Sequence, residues 1–343
     1  MRTLIYGAGA IGGYLGALLA QNGADVTLLA RGATLQALQR DGIRVEWEQD
    51  GRVLQLPVKA CGPGRAQGRF DLVIVTLKSM QLAAAAQEIR SLTAGGGSVL
   101  MIQNGLPWWY FDRVPSPWQG TRLRSLEPEG ELTAGYDLDR VVGCVIYKPV
   151  MATAPGRLFI PASPSNKLVI GEVDNSRTQR LQDIADLVVP AGMGVEITQD
   201  IRAAKWAKLM INLVWNPFGV IVQAPAGYIA EYPPTADVVR SLIGEGAAVA
   251  AAVGVQMASD AERDLTRQFG NHTQLTSMLQ DARAGRPLEW EAISGVVLEL
   301  AALTKTPAPT LRFITACIGL IDQRIRADKV AIRPVPRETE NKT

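Results

Sequence analysis

The chain has 343 residues, 47% of them hydrophobic and 20% charged, with a net charge of +2. That length supports two ordinary domains with a sizeable core, and that balance excludes a disordered chain. So small a net charge gives nucleic acid or an anionic membrane surface little electrostatic hold, so neither is expected as a partner.

His272 is the only histidine, so a Ser-His-Asp triad or a multi-histidine metal site lacks its parts and no metal is expected. Cys61, Cys144 and Cys317 stand far apart with no CxxC pair. That pattern speaks against a zinc site or a disulfide framework and suits a reducing cytoplasm.

Thr3 to Ala24 carries no charge and follows Arg2, a pattern shared with secretion signals. Gly7, Gly9, Gly12, Gly13 and Gly16 interrupt it, each costing a continuous helix about 1 kcal/mol against Ala, and no convincing cleavage site follows. The stretch reads instead as strand, glycine turn and helix, with Gly7-x-Gly9-x-x-Gly12 at the junction. The first glycine permits a tight turn and the second lets a pyrophosphate approach the backbone. The third lets the helix pack closely on the strand with its amides aimed at phosphate. Gly7, Ala8, Gly9, Ala10, Ile11 and Gly12 are thus candidate dinucleotide contacts.

A second strand follows over Asp25–Arg31. Nicotinamide dinucleotide sites place an acid about 20 residues past the glycines to hold the ribose hydroxyls. Here Arg31 stands there, and a guanidinium suits a 2′-phosphate, so NADP(H) is expected over NAD(H). IRVEWEQDGRVLQLPVKA reads as a strand pair turning at Asp50-Gly51. FDLVIVTLKSMQ is a buried strand ending at Lys78 before an Ala-rich helix, and GSVLMIQNGL is another ending at Asn104-Gly105. Polar groups at such carboxyl ends are ligand candidates, although a loop lysine and an Asn-Gly turn are ordinary in any protein.

Residues 107–141 lose periodicity and are rich in Pro and Trp. Trp108, Trp109 and Trp118 are candidates to cover a site or to pack a subunit interface. Then VVGCVIYKPV and KLVIGEV read as strands joined through Pro155-Gly156, followed by one more helix and strand.

From Asp200 onward the spacing is helical. The expected division is 1–199 for a dinucleotide-binding domain, 200–326 for a helical substrate and dimerisation domain, and 327–343 for a loose tail. In WAKLMINLVWNP, Lys208, Asn212 and Asn216 fall at i, i+4 and i+8 and share one face of an apolar rod, which Pro217 should end or kink. A solvent-facing stripe is the ordinary reading, but Trp206 and Trp215 beside it favour burial. A lysine in an apolar cleft has its pKa pushed down toward proton donation near neutrality.

Taken in order, GAGAIGG, LLAR, TLKSMQ, QNGL, WAKLMINLVWNP and TSMLQDARAGRPLEWE resemble the ketopantoate reductase (2-dehydropantoate 2-reductase) family through about Arg326. The resemblance implies an α/β Rossmann-type domain followed by an all-α domain, like 6-phosphogluconate dehydrogenase, and NADPH-dependent reduction of a 2-oxo acid. It implies Lys208 as general acid and Asn212, Asn216 and Ser277 as substrate-binding. Glu289 would lie beside the cofactor ribose and the lysine, Asn104 near nicotinamide and substrate, and Lys78 near the cofactor. A cytoplasmic homodimer is expected.

Three departures bear on the substrate. Ala226 stands where the family often has a further asparagine, residues 107–141 are longer than the usual connection, and Glu289-Trp290-Glu291 replaces a common Glu-Ile-Asp. An imine or opine-type reductase on the same scaffold is the competing enzyme, and a non-catalytic NADP(H) sensor the competing class. The sensor would not need Lys208, Asn212, Asn216, Ser277 and Glu289 together.

Overall fold

The computed structural model describes residues 1–257 and 260–335. The chain forms two compact units, the first spanning Met1–Lys205 and the second beginning at Trp206.

The first unit opens with β1 (Thr3–Tyr6), α1 (Ala10–Gln21), β2 (Val26–Leu29), α2 (Gly32–Asp41), β3 (Ile43–Trp47), β4 (Val53–Leu56) and β5 (Lys59–Cys61). It continues with β6 (Leu72–Val75), α3 (Leu82–Leu92), β7 (Ser98–Ile102), α4 (Glu131–Gly135) and β8 (Val141–Tyr147). It ends with β9 (Met151–Ala154), β10 (Arg157–Ile160), β11 (Lys167–Glu172), α5 (Gln179–Val188), β12 (Gly194–Ile197) and the start of α6 (Ile201–Val222).

Eight strands form one sheet in the order β12-β11-β8-β7-β6-β1-β2-β5, parallel except where β11 meets β8. β1, β6 and β7 are buried along their whole length because both faces of the sheet are covered, which is why they are nearly unbroken apolar runs. Alternate residues feed separate cores: Leu72 and Ile74 join Leu15 and Leu19 of α1, whereas Val73 and Val75 join Leu82 and Ile89 of α3. β1 lies between β2 and β6, so the chain leaves β1 in one direction and returns on its other side. The carboxyl end of β1 is therefore the switch point where such sheets bind ligands.

One expectation holds and one changes here. β3 and β4 pair around Asp50 and Gly51 as anticipated, but they lie in a second sheet of order β4-β3-β10-β9. Pro155-Gly156 does not link β8 directly to β11; it is the turn of a hairpin between β9 and β10, with Gly156 at φ +70°. Met151–Ala154 is mostly exposed, so it lacks the alternation that marks a half-buried strand.

The tryptophan-rich segment is also reassigned. Trp108 and Trp109 are fully buried in the core under α3, with Trp108 5.1 Å from the Tyr136 ring, so they neither cover a site nor pack a subunit interface. Trp118 is half-buried against Phe111 at 6.0 Å. Arg202 fastens the segment: its guanidinium donates to the carbonyls of Tyr110 (2.7 Å), Asp112 (2.6 Å) and Trp109 (3.4 Å), and to that of Val173 (2.7 Å). These bonds, with Ile201 in the same core, tie the start of α6 to the first unit, which extends to Lys205.

The second unit contains the rest of α6, then α7 (Ala226–Glu231), α8 (Pro233–Ala252), α9 (Ala261–Thr266), α10 (Ser277–Arg283), α11 (Val296–Leu303) and α12 (Pro309–Asp328). No strand is found in it among the described residues. Pro233 and Pro234 start α8, where a missing N–H costs nothing. In the tail past α12, the Ile332 N–H donates to the Ala282 carbonyl at 2.9 Å. Residues 336–343 of that tail lie outside the described residues. Among the described residues no helix is long and apolar enough to cross a membrane.

Candidate active site

The glycine turn shows why each glycine is needed. Gly7 has φ +111°, outside the range side chains prefer. A Cβ on Gly12 would stand 2.2 Å from the Gly7 carbonyl oxygen and 2.4 Å from Thr76 Oγ1, so close packing alone demands glycine there. A Cβ on Gly9 would meet nothing within 4 Å. Protein packing therefore does not require the second glycine, which fits the approach of a pyrophosphate. Gly9 caps α1 without a side chain and no acid stands in the first turn, so Ala10 and Ile11 open a helix whose N-terminal dipole favours an anion. Ala8, buried, completes the turn through its N–H to the Leu29 carbonyl at 2.9 Å.

Other candidates gather at neighbouring strand ends. Arg31 is exposed just past β2, and its charge is felt at the Tyr6 phenol at the end of β1. Burial first, then the hydrogen bond to Glu88 Oε2 at 2.6 Å, pushes that phenol's pKa up. Lys78 is half-buried just past β6, and its backbone N–H donates to Gln81 Oε1 at 3.2 Å. Asn104 is half-buried just past β7. Gln103, beside it, donates from Nε2 to the Val75 carbonyl at 3.0 Å and so ties the ends of β6 and β7.

Two contributors escaped the sequence reading. Thr76 Oγ1 donates to the Gly7 carbonyl at 2.6 Å and pins the glycine turn to β6. Lys205, only 3% exposed, donates from Nζ to the Gln103 carbonyl at 2.9 Å, one residue before Asn104. Neither carries a motif; they matter because distant segments meet there.

Burial pushes the Lys205 pKa down to about 8 from 10.5. A lysine lowered on folding contributes stability that is present above 10.5 and lost as the pH falls through about 8. Lys205→Met should therefore gain on the wild type as the pH falls from 10.5 to 8, by roughly 3 kcal/mol across that window at 1.4 kcal/mol per unit. Thermal melts of both chains across this range check it, and a difference independent of pH would refute it.

In the helical unit α6 carries the stripe. Asn212 is 8% exposed and Asn216 4%, while Lys208 is half-buried, so the stripe does not face solvent. Burial pushes the Lys208 pKa below its ordinary value. Asn216 Nδ2 is buried with no hydrogen-bond partner, which costs about 1–3 kcal/mol unless a ligand accepts the bond. Pro217 does not end the helix; α6 runs on to Val222 because packing of Phe218 and Val220 outweighs one lost backbone bond.

Ser277 is exposed as the first residue of α10, which Thr276 caps by accepting the Leu279 N–H at 3.3 Å. A Cβ on Gly219, three residues past Asn216, would stand 4.0 Å from Thr276 Oγ1, so the start of α10 lies beside this part of α6. Glu289 is half-buried in an irregular stretch before a single π turn, Glu291–Gly295. Ala226 is buried as the first residue of α7. Among the described residues no cluster of His, Cys, Asp or Glu could hold a metal ion.

Comparison with known proteins gives the same pairing of units. The ketopantoate reductase PanE/ApbA family model matches residues 3–108, and the model of its C-terminal domain matches residues 200–322. A 2-dehydropantoate 2-reductase from Mesorhizobium japonicum is 36% identical over 93% of this chain and 97% of its own. A Ralstonia solanacearum protein assigned as a ketopantoate reductase superposes with TM-score 0.86 at 34% identity, covering 94% of this chain and 98% of that one. A PanE/ApbA family ketopantoate reductase from Ralstonia eutropha superposes with TM-score 0.79 at 27% identity, covering 95% and 100%.

Proposed function

We propose that this chain, which belongs to the ketopantoate reductase family, reduces 2-dehydropantoate with NADPH. The observation that carries this reading is the α6 stripe: a partly buried lysine with a lowered pKa, in line with two buried amides, one of them with an unspent donor.

NADPH, when bound, supplies hydride to C2 of the oxo acid. Gly7 to Gly12 would hold its pyrophosphate and Arg31 its 2′-phosphate, with Lys78 and Asn104 at the neighbouring strand ends. Lys208 donates a proton to the C2 oxygen as negative charge develops there, so one oxo acid, one hydride and one proton give the 2-hydroxy acid. Asn212, Asn216 and Ser277 orient the substrate through its oxygens, and the Asn216 amide gains the acceptor it lacks. Glu289 supplies negative charge toward Lys208 and the cofactor ribose. Trp108 and Trp109 belong to the core, so they do not line the substrate site.

We extend the reading to a cytoplasmic homodimer. Phe313 and Leu320, exposed one heptad apart on α12, support a helix seam for the partner.

NADPH oxidation with ketopantoate, set against a panel of 2-oxo acids and imines, tests the function. Turnover should be highest with ketopantoate; turnover of imines alone would overturn the substrate, and none despite NADPH binding would overturn the enzyme. In the same assay Arg31→Ala should raise the KM for NADPH about tenfold, the scale of a lost charged hydrogen bond, and leave NADH nearly unchanged. Equal losses would remove Arg31 from the 2′-phosphate.

A further inference from the structure

Trp290, in Glu289-Trp290-Glu291, is the departure that the reaction does not use. Residues 286–290 leave α10 as irregular chain, and the π turn Glu291–Gly295 follows at once before α11. Irregular backbone that must present one carboxylate needs an external support, and π turns recur at functional sites.

Asp322, on α12 and 3% exposed, provides that support. Its Oδ1 accepts the backbone N–H of Leu288 at 2.8 Å, and its Oδ2 accepts the indole N–H of Trp290 at 3.3 Å. These donors belong to the residues on either side of Glu289. Arg326 Nε donates to the same Oδ2 at 2.6 Å, so the buried carboxylate keeps a counter-charge as well as its hydrogen bonds. The indole packs over Gly295 and Gly319, where an added Cβ would stand 3.4 Å and 3.5 Å from its ring. An isoleucine at position 290 would offer no side-chain N–H to Asp322.

We infer that Asp322 is a positioning residue that clamps the chain on both sides of Glu289 and so aims its carboxylate. The inference rests on the role proposed for Glu289.

The test is a double-mutant cycle in the full chain, with kcat/KM for NADPH-dependent reduction of ketopantoate measured in wild type, Glu289→Gln, Asp322→Asn and the double variant. Asp322→Asn should lower kcat/KM about tenfold where Glu289 is present and less than about twofold in the Glu289→Gln background, as coupled neighbours do. An equal factor in both backgrounds would show general damage and overturn the clamp. Wild-type activity in Glu289→Gln would instead remove the role of Glu289, a separate result that takes the clamp's purpose with it. If Asp322→Asn does not fold, Trp290→Phe, which deletes the indole donor, is read in the same cycle with the same two criteria.

Discussion

Lys208→Ala should lower kcat at least about a hundredfold, the scale of a lost general acid. Three features of α6 set that size. Burial lowers the Lys208 pKa, which brings proton donation closer to neutrality. Helical spacing keeps Asn212 and Asn216 on the same face, so substrate contacts survive the change and KM should move much less than kcat. Trp206, Leu209 and Leu213 of the same helix are buried apolar anchors that alanine at 208 leaves in place.

The sign with pH follows from the role. An acid must be protonated to act, so wild-type kcat should fall as the pH rises through the lowered pKa of Lys208, and the alanine variant should lose that limb. Steady-state kinetics of both chains across neutral and alkaline pH measure this, and an unchanged kcat would remove Lys208 from its role.

The glycine turn separates stability from binding. Gly12→Ala places a methyl 2.2 Å from the Gly7 carbonyl and 2.4 Å from Thr76 Oγ1, and backbone cannot yield as a flexible side chain would. It should cost about 3 kcal/mol or more, at the upper end of overpacking. Gly9→Ala meets no protein atom within 4 Å and sits at φ −79°, so its melting temperature should stay close to wild type. Its methyl would occupy the path of the pyrophosphate, so NADPH should bind about tenfold or more weakly, the scale of a 1–3 kcal/mol overlap. Denaturant melts and NADPH titration of the two variants distinguish these outcomes. A destabilised Gly9→Ala with unchanged NADPH affinity would reverse the assignment.

Elements whose physics is local are legible along the chain. Nearly unbroken apolar runs marked β1, β6 and β7 because strands covered on both faces need no alternation. Glycines marked the turn after β1 because backbone conformation is read residue by residue. Spacing of four marked the α6 stripe because a helix has one period. What depends on distant segments meeting emerges only once the chain is folded. Folding assigned Trp108 and Trp109 to the core, extended α6 past Pro217, and paired Met151–Ala154 into a second sheet with little alternation of its own. It also brought Lys205 under the Gln103 carbonyl, 102 residues away, and Asp322 onto Leu288 and Trp290, 34 and 32 residues away. Buried polar groups are stable only where partners meet them, and the partners of these side chains come from other elements, so their roles emerge only in the folded chain.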